Sequence, residues 1–474
     1  MKIDIFKFIM TAMLSSMLLS ACMLGPNYHQ PKEDMPTHFI DTKKTSIKNS
    51  QNKNWWKSVS DPILISLINK ALEQNLDIQQ AQAKIHQSRA ELNITSADLY
   101  PELDASGKLV RDHLSANSEL ISAIPTQIPL TYTDTNIRFD ASWELDFFGH
   151  TRRSIEASKA NLERSIENTN DIALTVTAEV AKDYIQYRTY QQRIIIAEET
   201  IASYQKTEKL VKLQFHAGYA TSIDVQRLES QVFSAQAAVP PLQAEARASL
   251  AALAVMIGES PESLYERMKK YSHIPVIKSD HVASLPSDLL QRRPDIRMAD
   301  RDLAAATANI GVAIANQFPR FKLVGDVGYD SVFSGSLFHA ASRYWTYGPQ
   351  IYFPIFQGGR LKNAVKESKA ARDAIFANYK KTILQALADV ESSMIRFNKE
   401  RKRNQRLLSA YKKIKSTVKL INLQYVDGKT SLLDVLDVER QANVSHDEYV
   451  QSLGLVSINQ VALYKALGGG IYQN

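Results

Sequence analysis

Residues 137–149 read Ile137-Arg138-Phe139-Asp140-Ala141-Ser142-Trp143-Glu144-Leu145-Asp146-Phe147-Phe148-Gly149. From Ile137 to Phe147 apolar or small residues alternate with polar or charged ones. Successive side chains of a strand point to opposite faces, so this segment predicts a β-strand with one oily and one wet side. About ten residues of such alternation is what a transmembrane barrel strand requires. The pattern recurs upstream, where Leu103, Ala105 and Leu109 alternate with Asp104, Ser106 and Lys108. It recurs downstream with Phe321, Leu323, Val327 and Tyr329, then with Trp345, Tyr347, Ile351, Phe353 and Ile355. A half-buried soluble sheet shows the same period. The aromatic load of Trp143, Phe147, Phe148, Tyr344, Trp345 and Phe353 favours the membrane for these four strands.

Beyond Gly149 the punctuation stops. The 68 residues between Gly149 and Gly218 contain no Gly or Pro, and neither do the 68 between Gly359 and Gly428. At about 1.5 Å per residue each can form a helix of roughly 100 Å. Apolar residues step by fours and threes at Tyr190, Ile194, Ala197, Ile201, Tyr204, Val211 and Phe215. The second stretch shows the same spacing at Ile383, Leu387, Val390, Met394, Phe397, Leu408 and Tyr411, which is that of a coiled coil. Gly218 and Gly428 then supply C-caps for a hairpin turn. A returning helix is expected after each, opened by Thr221 with Asp224 and by Ser431 with Asp434. Pro240-Pro241 must break or bend the first of these.

The two halves are copies. An offset of 210 aligns Gly149 with Gly359, Ser158-Lys159-Ala160 with Ser368-Lys369-Ala370, and Asp224-Val225 with Asp434-Val435. Upstream the offset is 218, matching Asp77-Ile78 with Asp295-Ile296 and Tyr100-Pro101 with Phe318-Pro319. An internal repeat on this scale outranks any local motif. Each half is expected to run helix, two strands, long helix, returning helix, with Leu64 to Asp98 as the first helix.

Composition agrees with long elements. Gly (17) and Pro (16) are scarce in 474 residues, and 23% charged residues exclude a multi-span helical membrane protein. Lys and Arg number 57 against 50 Asp and Glu, read as mixed charge without a long basic block, and nucleic acid is not indicated. Cys22 is the only cysteine, so intrachain disulfides and Cys-based metal clusters are excluded.

Lys2 and Lys7 precede an apolar stretch, Phe8 to Ala21, too short to span a bilayer as a helix. It ends Leu19-Ser20-Ala21-Cys22, which resembles the bacterial lipobox cut before an acylated cysteine. The polar stretch from Cys22 to Asn54 reads as an extended tether.

No nucleotide, metalloprotease or nucleophile-elbow motif occurs, and Ser409-x-x-Lys412 stands in the long helix without partner motifs. An enzyme is not expected, and no cofactor is implied.

The lipobox with Gly25-Pro26-Asn27-Tyr28, the segment Leu289-Leu290-Gln291-Arg292-Arg293-Pro294-Asp295-Ile296-Arg297, the Gly428…Asp434-Val435-Leu436-Asp437 turn and the duplication together resemble the TolC-like outer-membrane efflux proteins, lipoprotein branch. The resemblance implies an α+β membrane protein, internally duplicated. Each chain would give four strands to a trimeric twelve-stranded β-barrel and its helices to a periplasmic coiled-coil barrel. It implies an outer-membrane, lipid-anchored exit duct serving a periplasmic adaptor and an inner-membrane RND-type pump. The chain would divide into a signal peptide (1–21), a lipidated tether (22–60), a first repeat (61–258), a connecting equatorial segment (259–287) and a second repeat (288–474). A protein-secretion duct of the same fold, or a coiled-coil lipoprotein without a pore, are the other readings.

The resemblance also places a periplasmic gate at Asp434 and Asp437, where a ring of carboxylates can bind a blocking cation. The repeat separates their roles. Asp434 matches Asp224, as shared capping predicts, whereas Asp437 aligns with Arg227 and is left free for the gate. Family members lock the tip through a tyrosine, an arginine and the other hairpin's aspartate. Tyr425 and Asp224 match the first and third, but the arginine position holds Thr430, with Lys429 one residue earlier. Any lock here is expected to be weaker or wired differently.

Overall fold

A computed structural model of the chain describes residues 23–39, 55–118, 121, 129–277, 286–333 and 335–469. The signal segment and Cys22 lie outside the described residues. In chain order the elements are α1 (Pro62–Gln74), α2 (Leu76–Ala97), β1 (Glu102–His113), β2 (Thr131–Leu145), α3 (His150–His216), α4 (Ser222–Ala237), α5 (Val239–Met256) and α6 (Pro261–Met268). There follow α7 (Leu289–Arg292), α8 (Pro294–Ala315), β3 (Arg320–Ser331), β4 (Arg343–Tyr352), α9 (Arg360–Val426) and α10 (Leu432–Ala466). The two long helices, α3 and α9, are each 67 residues. Among the described residues, no helix is long and apolar enough to cross a membrane.

The chain forms two compact units. One holds residues up to Pro31, Ile85–Arg164 and Ala299–Tyr379; the other holds Lys32–Lys84, Ser165–Met298 and the remainder from Lys380.

The first unit contains the sheet, antiparallel throughout in the order β1-β2-β3-β4. Its register puts Ala105, Phe139, Val327 and Trp345 in one row across the four strands. These belong to the apolar face, where Phe139, Val327 and Trp345 are about half-exposed in the single chain. The adjacent row is Asp104, Asp140, Asp326 and Thr346, on the opposite face. Phe147 and Phe353, expected within strands, lie just beyond their ends. The Phe147 amide turns back to the Leu145 carbonyl at 2.9 Å and its ring packs edge-on against Phe321. After Phe353 comes Pro354, which has no N–H to continue a ladder.

The N-terminal stretch of this unit is docked coil. Arg153, 1% exposed, donates to the carbonyls of Leu24 (2.9 Å) and Gly25 (3.1 Å) and to Asn27 Oδ1 (2.8 Å), and pairs with Glu156 at 2.6 Å. Tyr28 donates to Asp300, which also pairs with Arg301. The part of the expected tether that follows Cys22 is therefore held against the helices. A buried guanidinium needs several acceptors, and free backbone carbonyls supply them.

In the second unit a hydrophobic core gathers Trp55, Leu64, Ile68, Tyr184, Ile185, Leu250, Leu253 and Leu264. Trp55 stacks on Tyr464 with centroids 5.4 Å apart. Asp61 caps α1 through the amides of Ile63 and Leu64 and accepts from the Tyr184 hydroxyl at 2.7 Å, tying α1 to α3.

The single helix expected over Leu64 to Asp98 is two. Asn75 separates them: its Oδ1 accepts from the amides of Asp77 and Ile78, so it serves as N-cap of α2. The second repeat breaks at the matching place, between α7 and α8, where Pro294 follows Arg293. The returning helix of the first repeat is interrupted at Ala238, just before Pro240-Pro241, whereas α10 runs unbroken for 35 residues. The expected connecting segment, residues 259–287, contains the helix α6, capped by Ser260. Three of its residues, Glu262, Glu266 and Arg267, are charged, which hid the Leu264 and Met268 core contacts.

Candidate functional site

Two regions carry the features expected of a duct: the polar face of the sheet and the turns ending α3 and α9.

On the sheet, charges are paired both across strands, as Lys108 with Asp134, and along one strand, as Arg138 with Asp140 in β2. Lys108 Nζ meets Asp134 at 2.7 Å, and Arg138 meets Asp140 at 3.0 Å. Asn136 donates to the Tyr344 hydroxyl at 3.1 Å. Asp104, Asp140 and Asp326 align as a row of three carboxylates, with Glu144 and Lys322 on the same face. Such a face is stable only against water, and the opposite one only against apolar surroundings.

The turns are built alike. Gly218 and Gly428 have φ of +82° and +69°, the left-handed conformation that ends a helix cheaply only at glycine. The next amide in each reaches back across the turn: Tyr219 to the Gln214 carbonyl and Lys429 to the Gln424 carbonyl, both at 2.8 Å. Thr221 with Asp224, and Ser431 with Asp434, then form full capping boxes. Hydrogen bonds from Ser431 and Thr430 hold the Asp434 carboxyl below the usual carboxylate range, and those from Thr221 do the same for Asp224.

Asp437 is not left without a partner. It accepts from Arg440 at 2.8 Å and from Gln441 at 2.6 Å, and the Arg440 contact lowers its pKa. One helical turn of spacing brings these groups together, which the comparison of repeats overlooked. Tyr425 does not reach Asp224, whose carboxylate is occupied by its own cap. It donates instead to Gln214 Oε1 at 3.2 Å, while Lys429 pairs with Asp427 at 3.0 Å.

The reading of mixed charge was too coarse for α9. From Arg396 to Lys419 it carries ten basic residues and one acidic, Glu400. Lys399, Lys402, Arg403 and Arg406 line a groove of about 510 Å³ with Leu407 and Ala410. Arg403 pairs with Glu400 at 3.0 Å; among the described residues no ion pair reaches Lys399, Lys402 or Arg406. A windowed charge count would have found this stripe; the whole-chain balance concealed it.

Residues 67–259 and 285–469 match the family described as outer membrane efflux protein. The chain belongs to that family. Among its relatives is Nodulation protein T of Rhizobium leguminosarum bv. viciae, 31% identical over 465 residues covering 98% of this chain and 94% of the relative. The cation efflux system protein CusC of Escherichia coli K12 is 28% identical over 461 residues, covering 96% and 98%. The solved outer-membrane channel OprN superposes with a TM-score of 0.85 at 29% identity, over 95% of this chain and 99% of that one. The two-faced four-stranded sheet and paired long helices are thus those of an outer-membrane efflux channel, and the chain acts in export at the outer membrane.

Proposed function

We propose that the chain is the passive exit duct of a tripartite efflux system, assembled as a homotrimer. The observation that carries this is the sheet. Its four strands have one apolar and one charged face, and both outer edges, β1 and β4, are unpaired among the described residues. Open edges cannot persist in hydrocarbon, and about eight strands are the least that close, so several copies must share one barrel. Three copies give twelve strands around a water-filled lumen lined by the Asp104–Asp140–Asp326 face. Cys22 carries the lipid that holds each copy to the outer membrane, and the docked Leu24–Tyr28 segment follows it directly.

The basic groove on α9 supports a periplasmic docking surface, fitted to an acidic helical segment of an adaptor that links the duct to an RND-type inner-membrane pump. Apolar Leu407 and Ala410, flanked by cations, match the seam-and-flank arrangement by which helices choose partners. The cargo is a small molecule or ion, selected upstream; CusC is a cation efflux protein by its description, and this chain's tip carboxylates suit cation passage.

Conductance of the purified, lipidated protein in planar bilayers tests the reading. Discrete channels are expected, and a protein that binds membranes without conducting would reduce it to a structural lipoprotein.

A further inference from the structure

The sheet's apolar face changes character along the strands. It begins with Leu145, Phe321 and Ile351, at the end where the strands join helices, and runs to Ile137 and Tyr329, eight residues further along β2. At about 3.4 Å per residue and a tilt of about 40°, those rows span roughly 20 Å of depth, most of the apolar band of about 25 Å that a barrel shows to lipid. Towards the hairpin loops the same face turns polar. Thr135 lies between Leu109 and Ser331, Thr133 opposite Arg111, and Thr131 opposite His113. Arg343, opposite Tyr329, stands at the edge of the band. Aromatic rings mark that edge: Tyr329 packs against the loop residue Phe338 at 5.7 Å, and Trp345, next to Arg343 on this face, stacks on Tyr347 at 5.5 Å. Tyrosine and tryptophan gather where hydrocarbon meets headgroups.

Charge is sorted just as sharply. Every acidic residue of the four strands, from Glu102 to Asp330, lies on the polar face, where Lys108, Arg138 and Lys322 pair with Asp134, Asp140 and Glu144. The apolar face carries two permanently charged residues, Arg111 and Arg343, and both are exposed. Among the described residues neither has an ion pair, and the described parts of the two hairpin loops hold no acid. They stand on the edge strands β1 and β4, both towards the loop end. A lipid-facing charge is costly at the midplane and nearly free among headgroups, so the position is permitted. Two cations with no acid on their face still call for an anion.

We propose that Arg111 and Arg343 form an anion-recognition collar at the outer-leaflet rim of the barrel, and that its occupant is the phosphorylated headgroup of a glycolipid of that leaflet. This rests on the outer-membrane duct reading and goes beyond it by naming the lipid. The strands rise from helices on the periplasmic side, so their loop ends lie towards the cell exterior. A soluble anion reaches the loops and the acidic lumen first. One carried by lipid arrives alongside the apolar face, at the level where Arg111 and Arg343 stand. A guanidinium offers five donors in a planar fork that meets phosphate oxygens two at a time. Thr133 adds a neutral hydroxyl in the row of Arg111, and Thr131 one in the row of His113, to which it is bonded at 2.6 Å. Closure of the barrel repeats the collar in each copy, so a ring of basic groups meets the surrounding ring of lipid.

The test is retention of a defined glycolipid by the full-length protein. Protein freed of native lipid in detergent is incubated with a bisphosphorylated lipid A or with its dephosphorylated form, with EDTA present to remove bridging divalent cations. Native mass spectrometry reads the adducts. The parent should hold the bisphosphorylated form and not the dephosphorylated one, and excess inorganic phosphate should displace little of it. Arg111→Gln and Arg343→Gln should each weaken retention about tenfold, as expected for loss of one charge-assisted contact. Arg111→Lys and Arg343→Lys should restore part of it, and Lys108→Gln, which removes a cation of the polar face, should match the parent. Retention unchanged in both Gln variants overturns the collar. Equal retention of the two glycolipids by the parent overturns it too, even where a variant fails to assemble. Complete displacement by inorganic phosphate overturns the lipid as occupant in favour of a soluble anion. A protein that neither enters bilayers nor conducts overturns the duct reading and the collar with it, whereas a conducting duct without phosphate-selective retention overturns the collar alone.

Discussion

Tyr425, one turn before Gly428, donates its hydroxyl to Gln214 Oε1 at 3.2 Å, joining the two repeats across 211 residues of sequence. Gln214 holds two things at once. Its side chain receives Tyr425, and its carbonyl receives the Tyr219 amide that closes the C-cap of α3. The latch is therefore mounted on a backbone position that the glycine turn has already fixed.

That bond should resist separation of the two hairpins. A neutral hydrogen bond is worth about 0.5–1.5 kcal/mol, so Tyr425→Phe is expected to shift the tip modestly towards an open form. In planar bilayers its open probability or conductance should rise a few-fold over the parent. Unchanged currents would show that the Gln214 contact latches nothing.

The two tip aspartates should separate in a block experiment. Asp434 is committed to its capping box, while Asp437 is tied to Arg440 and Gln441 and is more than half exposed. A multivalent cation added on the periplasmic side should compete with Arg440 for Asp437. Asp437→Ala should weaken that block and leave assembly intact. Asp434→Ala should disturb the turn itself, and Ser431→Ala should do so by about 0.5–2 kcal/mol through loss of the cap. Both carboxyls are held below their ordinary range, so their contribution is complete above about pH 4 and fades as pH falls through the lowered values. Equal block of parent and Asp437→Ala in single-channel recordings would remove Asp437 from the gate.

Arg153 should behave as a clamp for the segment after Cys22. Arg153→Met keeps the volume but strips the donors from Leu24, Gly25 and Asn27. Losing charge-assisted hydrogen bonds of about 1.5–3 kcal/mol each should release the segment. Limited proteolysis should then cut between Met23 and Pro31 at least tenfold faster than in the parent. Equal cleavage would show that the Arg153 contacts do not hold it.

Asp183 on α3 gives a pH signature. Burial pushes its carboxyl up to about 6, against 3.8 unperturbed, with Lys182 offsetting part of the effect. The folded state then holds the proton more tightly than the unfolded chain, so this group favours folding at low pH. That advantage is lost as pH rises from about 4 through 6. Asp183→Asn should therefore leave stability unchanged near pH 4 and raise it at pH 7.5. The gain is about 1–2 kcal/mol after allowing for solvent screening of a partly exposed group. Thermal unfolding at the two pH values measures it, and equal shifts at both would contradict the assignment.

The sequence alone determined the parts whose signal is local and periodic. Alternation around Trp143 gave a two-faced strand, the Gly- and Pro-free stretches gave helices of equal length, and the repeat offsets gave two halves built on one plan. Each rests on backbone geometry, which neighbouring residues fix among themselves. The break at Asn75 escaped because its side chain caps α2 without interrupting the apolar period. Partner choice was decided only by the tertiary structure. Nothing in the spacing of Tyr425 tells Gln214 from Asp224, since both lie in the other repeat; the choice followed once the Thr221 cap had consumed the Asp224 carboxylate. Arg153 likewise looks like any helix-surface arginine until the chain from Leu24 to Asn27 folds over it. Polar groups satisfy themselves with whatever acceptor the fold delivers, and that delivery is a property of three dimensions.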